Sequence, residues 1–343
     1  FSLSIGHVAN MEDKKYEFCQ DAENEFFGDA FQSKIKDQVR LEQFYNEGFV
    51  SLGYKNFGSL KIYGGYTDYN YGYNNLVFLE TQNIPNRLKG GFASYGLNYN
   101  NSFGKLNLAS SFKSNLSKSN EGYVFLTNVS YPLFSKVYLR AKAMSKKSLP
   151  DFNYRLHQSD YKNYNWYNSN YEAISTNMLA FEIDARKYGS LKASYSTVDN
   201  FTYFGLDALT NAVSPFQYKN DINYLKLTAN KEFRFRKIAL DNTLQYQKVE
   251  QTEEVLNVPD FIIRSSLYYT DQWFQKNLFI QFGVTGSYFT KYLMNDYDPL
   301  LSEFYVQTEK EFGDFPRLDF FINAKVRNAR IYLKAEHFNS AWT

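Results

Sequence analysis

Three short segments of this chain share a pattern in which an aromatic residue and a glycine precede strictly alternating apolar and polar residues. The segments are Phe57–Ile62, Phe103–Leu108 and Tyr188–Ala193, and each follows another alternating run, at 48–54, 92–99 and 179–185. Alternating runs joined by very short turns are typical of β-hairpins, because successive side chains of a strand point to opposite faces. The pattern predicts a chain built by repeating antiparallel hairpins.

The same alternation predicts about sixteen strands, joined by links that are short and long in turn. The predicted strands are 1–9, 38–55, 59–73, 91–101, 105–117, 122–132, 136–146, 177–187, 190–205, 222–233, 237–250, 260–271, 277–291, 303–311, 317–327 and 330–338. The long links are 10–37, 74–90, 147–176, 206–220 and 251–259. In bacterial outer-membrane barrels the short turns face the periplasm and the long loops face outside. We adopt that orientation.

The alternation also assigns the two faces of each strand. In 177–187, for example, Leu179 and Phe181 form an apolar row opposite Glu182. About sixteen strands would enclose a lumen too wide for side chains to fill, so an apolar row cannot pack a core there. We therefore expect the polar row to face a wet lumen and the apolar row to face lipid. The predicted fold is all-β, a transmembrane antiparallel up-and-down β-barrel of about 16 or more strands.

The polar rows supply candidate lumen-lining residues. These are Lys61, Lys113, Arg140, Lys142, Glu182, Asp184, Lys226, Asp241, Asp319, Lys325 and Lys334. The whole chain carries 38 Lys and Arg against 36 Asp and Glu, a net charge of +2. That balance argues against a nucleic-acid partner. The slight basic excess predicts a weak preference for anions.

Composition agrees with a barrel that is wet inside and apolar outside. The chain is polar on average, with a mean hydropathy of −0.51, yet 19% of its residues are aromatic. Rings recur at strand ends, where they suit the membrane interface or simple hairpin packing; the pairs are Tyr54 and Phe57, Tyr99 and Phe103, Tyr131 and Phe134, and Trp273 and Phe274. A soluble, tyrosine-rich β-solenoid or sandwich is the alternative. The single cysteine, Cys19, allows no internal disulfide.

One long link, 152–171, is rich in aromatic residues set among Asn, Ser and Lys. Its candidate contact residues are Tyr154, Tyr161, Trp166 and Tyr167. Three interpretations stay open: a constriction or self-packed loop at the barrel mouth, a docking surface for a partner protein, or a platform that stacks sugars.

Few residue sets suggest chemistry. His337 ends a strand beside the one that carries Asp319, and such a pair can orient a general base, but no nucleophile accompanies it. The segment Asn295–Asp298 offers oxygen ligands for Ca²⁺, although Asx-rich segments more commonly form turns. Gly64–Gly65 and Gly90–Gly91 lack the following helix and Lys-Ser/Thr of a phosphate loop. We predict no enzyme activity, no cofactor and no bound metal.

The last sixty or so residues carry a family resemblance. Tyr288–Tyr292 is followed by Tyr297–Pro299, by Phe304–Gln307, by Phe312–Lys325, and, after a tight turn, by Ala329–His337. This part of the chain resembles the carboxy-terminal part of the putative porin family of Bacteroidota outer membranes. The resemblance implies a bacterial outer-membrane location and one barrel domain over residues 1–343. TonB-dependent receptors carry a looser version of the Gly-Asp-Phe-Pro segment.

Two features depart from the family pattern. The chain stops at Thr343 in what reads as a loop, so we expect a closing strand beyond it. Whether further strands precede Phe1 is left open. The tight turn Arg327–Ala329 falls on the long-loop side of the alternation. Either one strand between 288 and 303 is miscounted, or the rule for the two sides fails there.

Three functions remain open at this point. The first is a porin for passive diffusion of small polar solutes. The second is an accessory or scaffold barrel that contacts other outer-membrane proteins or lipoproteins. The third is the barrel of a TonB-dependent transporter with a plug upstream of Phe1. In every case the lipid bilayer is the expected partner of the apolar face.

Overall fold

The computed structural model of the chain describes residues 1–74, 77–79, 83–117, 120–134, 136–185 and 187–342. Its main element is one antiparallel sheet of 15 strands, paired in chain order, which we call the wall. The wall strands are β1 (Ser2–Gln20), β2 (Ile35–Tyr54), β3 (Gly58–Tyr73), β4 (Arg87–Phe103), β5 (Leu106–Leu116), β6 (Gly122–Phe134), β7 (Val137–Ser148), β8 (Ile174–Asp184), β9 (Ser190–Asp199), β10 (Ile222–Phe235), β11 (Ile238–Glu250), β12 (Phe261–Trp273), β13 (Leu278–Phe289), β14 (Arg317–Val326) and β15 (Ala329–Ala335).

The three aromatic-glycine segments form the predicted hairpin turns, between β2 and β3, β4 and β5, and β8 and β9. Gly58, Gly104 and Gly189 have φ values of 74°, 61° and 111°. Such positive φ values favour glycine, because a side chain would clash with the backbone. At Gly58 an added β-carbon would overlap the carbonyl oxygen of Asn100. The hairpin prediction is confirmed at all three places.

The predicted wall strand 303–311 is wrong. Its first residues, Glu303–Val306, pair with Asp296–Asp298 and, in parallel, with Phe201–Leu206, in a separate four-stranded sheet. Because β13 therefore pairs directly with β14, the tight turn at Arg327 lies on the short-turn side like the others. The miscounted strand explains the departure from the rule for the two sides.

Among the remaining predicted strands, two boundaries differ most from the structure. The first strand does not end at residue 9 but continues to Gln20 and pairs with β2 over its whole length. The predicted strand 190–205 breaks at Asn200, which has a φ of 56°, and only its first part belongs to the wall. The strands β1, β2 and β3 have 19, 20 and 16 residues. About ten residues of a tilted strand span a bilayer, so these three strands are long enough to extend beyond it.

The wall is curved, and one contact identifies its concave face. The hydroxyl of Tyr16, on β1, donates a hydrogen bond of 2.8 Å to the carbonyl oxygen of Pro299, in the link between β13 and β14. The face that carries Tyr16 is therefore the concave one. The strands β1 and β15 lie at the two edges of the sheet, which is open. Within the described part of the chain, no helix has the length and apolar character needed to cross a membrane.

Four long links fold together at one end of the wall, and we call this second layer the mouth cap: segments 21–34, 149–173, 200–221 and 290–316. The short elements among the links are two 3-10 helices (Glu25–Phe27, Ser340–Trp342), one α-helical turn (Phe152–Arg155), and the strands Val77–Phe78, Asn83–Ile84, Leu156–His157, Trp166–Tyr167, Phe201–Leu206, Val213–Tyr218, Tyr292–Leu293, Asp296–Asp298, Glu303–Val306 and Glu311–Phe312. The cap shares one buried apolar core with the first residue of β2, formed by Phe27, Ile35, Tyr161, Tyr164, Trp166, Phe204, Ala212, Val213, Leu300 and Tyr305.

Candidate functional site

The strand register decides which face each charged residue occupies. Directly paired residues of an antiparallel sheet point to the same side, and residues two apart on a strand do so too. Followed from Tyr16 across the wall, the pairing places all eleven lumen candidates on the concave face: Lys61, Lys113, Arg140, Lys142, Glu182, Asp184, Lys226, Asp241, Asp319, Lys325 and Lys334.

The convex face is apolar and exposed, as the alternation predicts. On β8, Leu179, Phe181 and Ile183 are 56%, 62% and 48% exposed. Aromatic rings at the short turns, such as Phe57 and Phe134, are exposed as well. Large apolar side chains in these numbers are stable outside a protein core only against lipid or another apolar surface.

A charged cluster lies on the concave face of β2, β3 and β5. Glu47, which is buried, accepts hydrogen bonds of 2.6 Å from both Lys61 and the Tyr45 hydroxyl. The Lys61 ammonium also lies 4.1 Å from the centre of the Phe49 ring, and that of Lys113 lies 4.3 Å from the Tyr45 ring. The ring faces attract the two cations, so both ammonium groups are held close to the wall.

Aromatic residues on this face are seated on glycines. Three aromatic residues of β2 and β3 pair directly with a glycine on the next strand: Phe49 with Gly6, Tyr63 with Gly96, and Tyr69 with Gly90. A β-carbon added at Gly6 would stand 2.5 Å from the Phe49 ring, and one at Gly90 would stand 3.0 Å from the Tyr69 hydroxyl. The rings therefore lie along the wall, in the space that larger side chains at these glycines would occupy.

The sequence analysis excluded a phosphate loop at Gly90 but missed this seating role. The signal was present: once strands are paired, an aromatic residue falls opposite a glycine three times on the concave face of β2 and β3. It could be read only after the register between strands was known, because each pair joins two different strands.

A second cluster centres on Arg140. Its guanidinium contacts both Glu182 and Asp184 on β8, the latter at 3.1 Å. Beside it lies an open cavity of about 700 Å³, lined in part by Lys142, Ala180 and Lys192. Because two carboxylates offset the charge of Arg140, the lysines of this region remain the unpaired charges.

A third cluster surrounds Asp319, which is only 3% exposed. Lys334 and Arg317 lie 3.2 and 3.4 Å from its carboxylate. The carboxylate also accepts a hydrogen bond from the backbone N–H of His337, whereas the His337 ring packs edge-on against Phe315. The contact considered from sequence thus runs through the histidine backbone, and the ring is not oriented by the carboxylate as a general base would be.

The aromatic loop candidates lie inside or against the mouth cap. Tyr161 and Trp166 are 0% and 6% exposed, and Tyr154 stacks on Phe204 with ring centres 4.4 Å apart. Tyr167 is partly buried and packs against the cluster around Tyr71 on β3. As folded, these rings contact other parts of this chain, the arrangement that the self-packing interpretation describes.

Polar residues pin the cap segments to one another. The Asp298 carboxylate, 1% exposed, accepts hydrogen bonds from the N–H groups of Leu300 and Leu301 and from the Tyr164 hydroxyl. Burial raises the pKa of Asp298 above its ordinary value. Since its oxygens serve a turn and a tyrosine, the segment forms the Asx turn preferred from sequence, and these contacts do not favour the calcium alternative.

His157 is the buried histidine of the cap. Its Nδ1 lies 2.8 Å from the Tyr164 carbonyl oxygen, and its ring stacks on Trp166 with centres 4.7 Å apart. Burial lowers the pKa of His157 to about 4, so the ring is neutral at pH 7. The sequence gives no local signal for this burial, because the aromatic partners of His157 meet it only in the folded cap.

A curved wall of 15 antiparallel strands, polar on its concave face and apolar on its convex face, defines a β-barrel protein of the bacterial outer membrane. Comparison with known sequences gives the family: the profile described as "Putative porin" matches residues 1–343, and the chain belongs to that family. No curated protein sequence matches the chain.

Solved structures of similar fold include two receptors and an iron transporter. The siderophore receptor PirA from Acinetobacter baumannii aligns with a TM-score of 0.64 at 11% identity, over 98% of this chain and 56% of the receptor. A variant of the ferric enterobactin receptor PfeA from Pseudomonas aeruginosa, in complex with enterobactin, aligns with a TM-score of 0.68 at 13% identity, over 97% and 54%. The FrpB iron transporter from Neisseria meningitidis gives 0.63 at 11%, over 97% and 56%. This chain spans about half the length of these proteins.

Proposed function

We propose that this protein conducts small polar solutes across the outer membrane by passive diffusion, with residues 1–343 as a single barrel domain. The observation that carries the proposal is the segregation of charge. All eleven candidates point to the concave side, while the convex side of the same strands is apolar. A wall of this kind separates a hydrated lumen from lipid, which is what diffusion of polar solutes requires.

The concave clusters give the proposed lumen its character. Three sets of ion pairs fix charges on this face: Lys61 with Glu47, Arg140 with Glu182 and Asp184, and Lys334 with Asp319. Charges fixed on a pore wall screen solutes by charge and by hydrogen-bonding capacity. The mouth cap would restrict entry from outside by size.

Single-channel recording of the full-length protein in planar bilayers tests the proposal. We expect discrete conductance steps, which grow when residues 152–167 are replaced by a short Gly-Ser link, because part of the cap is then removed. A folded, heat-modifiable barrel that gives no conductance steps would contradict passive diffusion.

Energised transport is the second candidate function. The similarity in fold to known receptors supports it. The similar structures are receptors or transporters named for siderophores, ferric enterobactin or iron. Solute uptake in cells that make the protein separates the two functions. Diffusion through a pore continues when a protonophore collapses the proton gradient, whereas TonB-dependent uptake stops.

A further inference from the structure

We infer that the lumen selects for anionic solutes, and that Lys142, Lys192 and Lys226 form the patch that recruits them. The inference rests on the proposed pore and adds the class of solute. It starts from an unequal distribution of charge between the faces of the wall.

The concave face carries a large cationic excess, although the chain as a whole is nearly neutral, with 38 basic and 36 acidic residues. By strand register, fourteen cationic residues of the wall strands lie on this face: Lys14, Lys61, Lys113, Arg140, Lys142, Lys146, Lys192, Lys226, Arg234, Arg264, Arg317, Lys325, Arg330 and Lys334. Eight acidic residues accompany them: Glu12, Asp37, Glu47, Glu182, Asp184, Glu232, Asp241 and Asp319.

Ion pairing increases the imbalance. Most of the acidic residues are paired within this face: Glu12 with Lys14, Glu47 with Lys61, Glu182 and Asp184 with Arg140, Glu232 with Arg234, and Asp319 with Arg317 and Lys334. The cations left without an ion pair to any described carboxylate are Lys113, Lys142, Lys146, Lys192, Lys226, Arg264, Lys325 and Arg330. An unpaired charge acts on a passing ion more strongly than a paired one, because no neighbouring charge offsets its field.

Three of these unpaired lysines lie together on β7, β9 and β10. Lys142 is paired in register with Ala180, Ala180 with Ser194, and Ser194 with Lys226, so the four residues form one row across neighbouring strands. Lys192 lies on the concave face of β9, two residues from Ser194 and directly opposite Glu182, whose carboxylate is bound by Arg140. Strands are about 4.8 Å apart, which puts the backbones of Lys142 and Lys226 about 14 Å apart.

The surface of the wall is depressed at the centre of that row, between the two lysines. Ala180 and Ser194 have small side chains, and the cavity of about 700 Å³ reaches Lys142, Ala180 and Lys192. Long, flexible lysine stems on either side can converge on an anion over this floor, and three ammonium groups supply nine N–H donors to it. Pores selective for anions and phosphate use rings or patches of Lys and Arg in the same way.

Ion selectivity of the full-length protein in a planar bilayer tests the inference. The reversal potential is measured across a KCl gradient, and block of the chloride current is measured with added inorganic phosphate. We expect chloride to permeate severalfold better than potassium. The combined variant Lys142→Gln, Lys192→Gln, Lys226→Gln should lose most of that preference and most of the phosphate block.

Two control proteins keep the test specific. The charge-retaining variant Lys142→Arg, Lys192→Arg, Lys226→Arg should stay anion-selective. The second control removes three charges from exposed short turns, by Lys105→Gln, Lys136→Gln and Lys276→Gln. It should leave selectivity unchanged. Heat-modifiable migration on gels shows that each variant is folded.

The outcomes separate the inference from the proposed pore. Conductance without an anion preference, or a preference that survives the glutamine variant, overturns the inference and leaves the pore in place. A folded protein that never conducts overturns the pore and the inference together.

Discussion

Tyr63 on β3 lies over Gly96, its directly paired residue on β4, and occupies the space that a β-carbon at Gly96 would need. The Gly96→Ala variant should therefore push the Tyr63 ring off the wall and into the lumen, and it also crowds the carbonyl oxygen of Phe112. Overpacking of this kind costs about 1–3 kcal/mol of stability. We expect a lower unfolding midpoint in urea and a smaller single-channel conductance.

The neighbouring Gly64 provides the matched control, since a β-carbon there would meet nothing within 4 Å. Gly64→Ala should leave both quantities unchanged. Equal effects of the two substitutions would show that the ring is not seated on the glycine.

The ion pair of Glu47 and Lys61 gives a second prediction. Glu47→Gln removes the charge that holds the Lys61 ammonium at 2.6 Å and that also accepts a bond from Tyr45. The lysine side chain is 28% exposed, so water replaces part of the loss, and we expect destabilisation of about 1–3 kcal/mol.

A double-mutant cycle with Lys61→Met isolates the pairwise part of that effect. Once the lysine is absent, Glu47→Gln should cost clearly less than it does in the native protein. Additive losses would mean that the carboxylate acts through Tyr45 alone.

Acid should loosen the mouth cap through His157. In the folded cap its pKa is about 4, and its ordinary value is 6.5, so in the window between the two the unfolded cap binds more protons. The contribution of neutral His157 to the stability of the cap is fully present above about pH 6.5. It is lost as pH falls toward 4, by about 3 kcal/mol at most. Asp298, whose pKa is raised, acts in the opposite direction, because protonation favours its folded state.

Fluorescence of Trp166 against pH measures this opening, in a protein that carries Trp273→Phe and Trp342→Phe. His157→Gln removes the titrating group while keeping a polar side chain. It should abolish the loss of cap stability between pH 6.5 and 4. A transition that persists in this variant would assign the effect to another group.

The hydroxyl of Tyr164 should matter because it donates to the buried carboxylate of Asp298 at 2.9 Å. Tyr164→Phe leaves that acceptor with one donor fewer and should destabilise the cap by about 1–3 kcal/mol. Protease cleavage within 149–173 should then become faster. Tyr188→Phe, on an exposed ring at a short turn, serves as control and should not change the cleavage rate.

The wall could be predicted from sequence because its rules are local. Alternation within a strand fixes which side chains share a face, and Gly58, Gly104 and Gly189 mark turns by a requirement of the backbone itself. All eleven charged candidates accordingly lie on one face of the wall, although their faces were assigned from alternation within single strands. The prediction at 303–311 failed because the sequence of this segment resembles that of a wall strand, whereas Glu303–Val306 pairs with the nearby Asp296–Asp298 and with the distant Phe201–Leu206.

The cap could not be predicted for the same reason. Tyr161 and Trp166 stand among Asn, Ser and Lys, and such a segment reads as an exposed loop. Their burial depends on segments that are far apart in the chain: Tyr164 meets Asp298 across 134 positions of sequence. No local pattern encodes that meeting, so the sequence could not show that these rings pack against other parts of the chain.

The hydrogen bond from Tyr16 to Pro299 gives the wall a property that strand pairing alone would not. The fifteen strands form an arc, and this contact spans it as a chord, fastening β1 to the link between β13 and β14. The first strand and the far side of the open sheet are thus joined through the cap, and not through strand pairing.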